Sequence, residues 1–171
     1  MIALREPRAR RLREIGLAAH LERDLLSWLE RVTGEQGENL VSVVLFGSCV
    51  SGRAHKDSDL DTLIIARDLD QSRLRRRRPF LRAAREISPA LAEKISIVAL
   101  TPKQAEHVRP FYLGMLDASC FLRDDGDFFA GVLGRLRARL AELGSRKLVD
   151  PDGYEYWDLK PDYKRGDVIV L

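Results

Sequence analysis

Only two cysteines, Cys49 and Cys120, occur in 171 residues, too few for a disulfide framework and too far apart for a zinc knuckle. The three histidines, His20, His55 and His107, lack mutual ligand spacing, so no histidine metal centre is expected. No stretch approaches the roughly 18 uncharged apolar residues of a membrane span. The opening residues, Met1-Ile2-Ala3-Leu4-Arg5, become charged before they build the apolar core of a signal peptide. A reduced, cytoplasmic protein without membrane attachment is expected. There is no internal repeat or low-complexity linker, and the length suits one well-buried core rather than two ordinary domains. The sequence predicts one domain over residues 1–171, with an N-terminal helix (about 7–33), a middle part (about 40–101) and a C-terminal helical part and tail (about 102–171).

What the chain does have is charge. Lys and Arg number 29 against 26 Asp and Glu, and arginine, the residue suited to planar bidentate phosphate contacts, greatly outnumbers lysine. The strongest local field lies in Arg73-Leu74-Arg75-Arg76-Arg77-Arg78-Pro79-Phe80-Leu81-Arg82-Ala83-Ala84-Arg85, which contains no acid. Two readings stand for it. It either approaches the rim of a site and attracts a triphosphate or RNA, or it is a solvated helix with Leu74, Leu81 and Ala84 turned inward and Pro79 bending or ending its first part.

The most informative stretch runs from Leu45 to Ile65. A β-branched apolar run, Val41–Phe46, empties into Gly47-Ser48, where a missing Cβ lets backbone N–H groups approach an anion. Asp59-Leu60-Asp61 then opens a second apolar run. Side chains alternate along a strand, so these two carboxylates share a side and can hold one divalent cation between them. An EF-hand calcium loop would need Gly at Thr62, Glu at Asp68 and flanking helices. A plain surface turn would explain Gly, Ser and Asp but not the strand phase of the acids. A P-loop or dinucleotide loop is incomplete, because no Gly-Lys-Ser/Thr follows Gly47. Cys49, within this loop, reads as a small loop residue rather than a nucleophile, since no base at thiol-enzyme spacing accompanies it.

This stretch resembles the signature of the minimal nucleotidyltransferases within the DNA polymerase β-like superfamily: hydrophobic-Gly-Ser, a spacer, then Asp-hydrophobic-Asp. Gly47-Ser48 matches the first part and Asp59-Leu60-Asp61-Thr62-Leu63 the second, with Thr62 in place of an apolar residue. The resemblance implies transfer of a nucleoside monophosphate from an NTP, ATP foremost, to an acceptor hydroxyl. It implies Asp59 and Asp61 as catalytic and metal-binding residues for Mg²⁺ or Mn²⁺, and Gly47, Ser48, Gly52 and Arg53 as the nucleotide-binding loop. A third carboxylate belongs on a later strand; here Lys94-Ile95-Ser96-Ile97-Val98 carries Ser96 at that position, with Glu93 able to substitute only through a bulge. The acceptor is open: a protein hydroxyl, an RNA end or a small aminoglycoside-like molecule. The alternative is a catalytically impaired nucleotide-binding module that acts as the antitoxin partner of a HEPN-domain protein in a toxin–antitoxin pair.

Around this motif the patterning predicts α/β (α+β) architecture: a small mixed sheet, motif strands antiparallel, helices packed mainly against one face. Pro7–Val32 reads as a helix stopping near Gly34, with Leu21, Leu25, Trp28, Leu29 and Val32 as its apolar stripe and Arg8, Arg10, Arg11 and Arg13 at its start. Ile95–Leu100 reads as a strand, Thr101 as the cap of a helix, and Phe128–Leu143 as an amphipathic helix stopped by Gly144. In the tail, Pro151-Asp152-Gly153 marks a turn, after which aromatics alternate as in a strand. With Lys160, Lys164 and Arg165 they suit a packed strand, a homo-oligomer contact or single-stranded nucleic acid.

Overall fold

Two apolar runs form the centre of the sheet. Leu40–Phe46 (β2) and Leu60–Ala66 (β3) pair antiparallel, as their short connection predicts, with Val43 opposite Ile64 and Phe46 opposite Asp61. The computed structural model describes residues 8–9, 11–53 and 58–171. Pro7, Arg10 and His55, on which expectations above rest, lie outside the described residues. Ile95–Leu100 (β4) adds in parallel to the outer edge of β3. Ala118–Asp124 (β5), which the patterning did not predict, pairs antiparallel with the other edge of β2, and Arg8–Ala9 (β1) adds in parallel to β5. The mixed sheet therefore runs β1-β5-β2-β3-β4.

The helices cover both faces of this sheet rather than mainly one. On one side Leu45, Leu60, Ile64 and Ile97 pack against Ala19–Gln36 (α1), Arg78–Ile87 (α3) and Pro89–Lys94 (α4). On the other, Val44, Leu63, Ile65 and Leu100 pack against Pro102–Ala105 (α5), Pro110–Met115 (α6) and Phe128–Glu142 (α7). The short Ser48–Ser51 helix (α2) follows β2. The physical reason is in the central strands, which are apolar at consecutive positions and so present buried side chains to both faces. Within the first layer the Trp28 indole N–H donates to the Phe80 carbonyl at 3.0 Å, tying α1 to α3.

Three local expectations change. The N-terminal helix begins at Ala19, not near Pro7: Leu12–Glu14 is a separate 3₁₀ turn, and Gly16, at φ +74°, holds a left-handed conformation that interrupts any continuous helix. The helix also runs through Gly34 and stops at Gly37. In the arginine segment a 3₁₀ turn, Arg75–Arg77, precedes α3, and Pro79 sits in the first turn of α3, where its missing N–H costs nothing, so it starts the helix rather than ending one. Leu74 is 67% exposed rather than inward, whereas Arg76 is buried.

The tail forms its own antiparallel hairpin, Arg146–Val149 (β6) with Glu155–Asp158 (β7). Trp157, Leu159 and Leu171 rest on the second core, leaving Tyr154, Tyr156, Tyr163, Val168 and Val170 exposed. Among the described residues, no helix is long and apolar enough to cross a membrane.

Candidate active site

Strand pairing assembles the candidate residues. β2 ends with Phe46 opposite Asp61, and on the other flank of β3 the parallel register sets Ser96 directly beside Asp61. Gly47 then turns the chain at φ +78° and ψ −154°, and a Cβ built there would run into the Asp61 carboxylate. The glycine is thus required twice, for its backbone angle and for the space Asp61 occupies. Asp61 lies between the Gly47 turn and Ser96, whose side chain is near enough to favour the ionised carboxylate. Asp59, exposed at the entrance of β3, is close enough for its charge to act on Asp61.

The electrostatics follow from that placement. Burial is the main cause that holds the Asp61 carboxyl above the ordinary carboxylate value, the Asp59 charge adds to it, and the neighbouring Ser96 side chain works the other way. Two like charges held together at a partly exposed edge are relieved by a cation. Among the described residues, no cluster of three His, Cys, Asp or Glu side chains could hold a metal ion. The pair nevertheless fits Mg²⁺, which commonly takes one or two protein carboxylates and completes its shell with water and phosphate oxygens. Glu93 lies exposed in the last turn of α4 and not on β4; the β4 residue beside Asp61 is Ser96.

The rest of the loop divides into two ends. Ser48 opens α2 immediately after Gly47, where first-turn amides lack helical partners. Gly52 closes the far end, its amide donating to the Ser48 carbonyl, and the Arg53 amide reaches the same oxygen at 3.2 Å. The Gly52 N–H is therefore spent on the turn. The Arg53 guanidinium donates to Glu155 on β7 at 3.0 Å; Glu155 also pairs with Lys147 at 3.0 Å, and Lys147 with Asp117 at 2.5 Å. Nothing in the local sequence signals this link from loop to hairpin. Cys49 is buried, donates to the Phe46 carbonyl, and has its thiol pushed up to about 11, first by burial and then by Asp61. It is packed inside α2, in a setting that disfavours the reactive thiolate. Thr62, at an apolar position of the motif, is fully buried and satisfies its hydroxyl on the Leu60 carbonyl at 3.0 Å.

A Methanocaldococcus jannaschii protein provisionally named a protein adenylyltransferase is 27% identical over 112 residues, covering 64% of this chain and 76% of that protein. Among solved structures, one described as a toxin-antitoxin with AMP-PNP is 17% identical over 68% of this chain and 90% of its own, at a TM-score of 0.42. A complex of a tri-AMPylated Shewanella oneidensis HEPN toxin with an MNT antitoxin is similar at 16% identity, 71% and 92% coverage and a TM-score of 0.36. The nucleotidyltransferase domain family matches residues 26–112, which take in the Gly47 turn, both aspartates and Ser96. With half of its length matched, the chain belongs to the nucleotidyltransferase domain family.

Proposed function

We propose that this protein transfers a nucleoside monophosphate, AMP foremost, from an NTP to an acceptor hydroxyl. The observation that carries the reading is the Asp59–Asp61 pair packed against the Gly47 turn, with Ser96 on its other side. In the reaction the acceptor oxygen bonds to the α-phosphorus, the bond from that phosphorus to the bridging oxygen breaks, pyrophosphate leaves with the electron pair, and the hydroxyl proton passes to solvent. Asp59 and Asp61 would hold a divalent ion, Mg²⁺ or Mn²⁺, which would supply positive charge against the phosphate oxygens and lower the pKa of the attacking hydroxyl. Gly47 admits the phosphates close to the backbone, and Ser48 offers its amide and hydroxyl. Arg53 contributes charge at the same rim while Glu155 restrains its guanidinium. Ser96 stands beside Asp61 on β4, and with the phosphates on the Gly47 side this reading leaves the Ser96 side to the acceptor. The adenylyltransferase name of the archaeal relative supports a protein hydroxyl as acceptor.

A second reading rests on Ser96 itself. A hydroxyl in place of a third carboxylate weakens the hold on a second ion, which suits a nucleotide-binding module that acts by contact with a HEPN-type partner. One experiment separates them: incubation with each α-labelled NTP, Mg²⁺ or Mn²⁺ and protein or RNA acceptors, beside titration calorimetry of the NTP. Label transfer lost in Asp59→Asn and Asp61→Asn supports the enzyme. Metal-dependent binding without transfer supports the module, and absence of metal-dependent binding rejects both.

A further inference from the structure

The arginine segment forms one wall of a cleft of about 430 Å³ at the free edge of β4, facing the start of α6. Arg73, Arg76, Arg77 and Arg109 line it, with Leu74, Val98 and Phe111 as apolar walls, and no carboxylate is among the lining residues. Arg76 is the structural member. It is buried, and its guanidinium donates only to neutral oxygens: the Asp70, Gln71 and Ala99 carbonyls at 3.0, 3.2 and 3.2 Å and the Gln104 side chain at 2.8 Å. Its charge is therefore held in the wall without an acid bonded to it. The Nε–H groups of Arg77 and Arg109 are buried with no hydrogen-bond partner among the described residues. A cleft with cationic walls and unspent donors concentrates potential for an anion, and planar guanidinium forks suit a carboxylate or phosphate.

Its place relative to the active site gives it a role. Val98 follows Ser96 by two residues, so both side chains leave the same face of β4, roughly 7 Å apart. Phe111 stacks on Phe46, the residue before Gly47, with ring centroids 5.2 Å apart. The cleft thus adjoins the Ser96 side of the site, which the transfer reading leaves to the acceptor. Phe111 is the one aromatic ring in its lining and is already engaged by Phe46 and, edge-on, by Tyr112. A single-stranded nucleic acid would want a longer groove with open stacking platforms. We infer that the cleft docks an acidic segment of a protein acceptor, with Arg73, Arg77 and Arg109 holding its carboxylates while the adjoining hydroxyl reaches the Asp61–Ser96 edge. This rests on the transfer reading above, and it names what selects the acceptor.

The test uses the full chain and a short fluorescent peptide of glutamates around one tyrosine, read by anisotropy at low and moderate salt. Arg73 is exposed, so Arg73→Glu folds; it and Arg109→Gln should each weaken the peptide about tenfold and flatten its salt dependence. Arg85→Gln, the same single charge loss as Arg109→Gln but on α3 outside the cleft, should leave peptide affinity as it was. Unchanged affinity in Arg73→Glu and Arg109→Gln, or equal loss in Arg85→Gln, overturns the proposal. So does a single-stranded RNA that binds tighter than the peptide and is lost in the same variants. Mg²⁺-ATP titrations of each variant run alongside: if nucleotide affinity falls in step with the peptide, the cleft belongs to the nucleotide site and the inference fails. A parent that binds peptide but never nucleotide rejects the transfer reading instead.

Discussion

Gly47 and Asp61 illustrate how a motif residue can have a reason beyond ligand contact. In the proposed reading the turn glycine admits a phosphate close to the backbone; in the structure it clears the volume in which the Asp61 carboxylate sits. Gly47→Ala should therefore displace the Asp61 carboxylate as well as strain a positive-φ turn, costing about 1–3 kcal/mol of stability and, if the proposed site is right, most Mg²⁺-dependent ATP affinity. A Gly47→Ala protein that titrates with Mg²⁺-ATP like its parent would show the turn to be incidental. Asp61 carries a pH prediction. Its carboxyl pKa is raised in the folded state, so without metal the native protein keeps this proton to higher pH than the unfolded chain. The ionised group then opposes folding above the folded pKa, and that opposition fades as pH falls toward the ordinary 3.8. In EDTA, Asp61→Asn should melt above the parent at neutral pH and converge with it on acidification. Mg²⁺ should stabilise the parent more than the variant. Parallel melting curves at every pH would remove the claim that this carboxylate is held against its own charge.

At the scale of elements, the arginine turn before α3 and the strand β4 carry opposite lessons. Arg75 and Arg76 look equivalent as a chain of cations. Yet Arg75 is exposed and pairs with Asp70, while Arg76 is buried and joins the 70–71 turn, β4 and α5 through four acceptors. Arg76→Gln should cost roughly 2–3 kcal/mol in denaturant unfolding, because several buried carbonyls lose their donor. Arg75→Gln should be indistinguishable from the parent. Comparable midpoints for both would mean that the buried network adds nothing. On β4, the register that sets Ser96 beside Asp61 makes Ser96→Asp a test of the third position. Three carboxylates would then crowd one edge, lowering the metal-free melting temperature and enlarging the rise on adding Mg²⁺. The same metal response in both proteins would place Ser96 outside the ion's reach.

For the molecule as a whole, stability should be graded from the sheet outward. β2 and β3 are buried on both faces and flanked by neighbouring strands, whereas the β6–β7 hairpin has two strands, several exposed aromatics and a surface ion-pair chain running from Asp117 through Lys147 and Glu155 to Arg53. Exposed ion pairs of this kind add little. Amide exchange should therefore be slowest in Val43–Leu45 and Leu63–Ile65, and faster by orders of magnitude over residues 146–158. Uniform protection across both would make the hairpin part of the main cooperative unit.

Much of the site was legible in the chain because its chemistry is local: Gly47-Ser48 and Asp59-x-Asp61 sit on consecutive strands, and apolar runs and caps such as Thr101, which accepts from the Gln104 amide, announce themselves over a few residues. β4, α7 and the antiparallel motif strands followed from the same short-range rules. What tertiary structure alone decided concerns residues far apart. β5 is a strand because β2 offers it an edge; Ala118-Ser119-Cys120 has little strand propensity of its own. Ser42 finds Asp124 across 82 positions, and that aspartate also receives the amides of Phe129 and Ala130 at the start of α7. The burial of Arg76, the joining of Arg53 to Glu155 and the covering of both sheet faces are likewise invisible to periodicity. Sequence patterns report which side of its own element a residue occupies. Whether that side meets solvent, a carbonyl or another layer depends on which element packs there, and that is set by long-range burial.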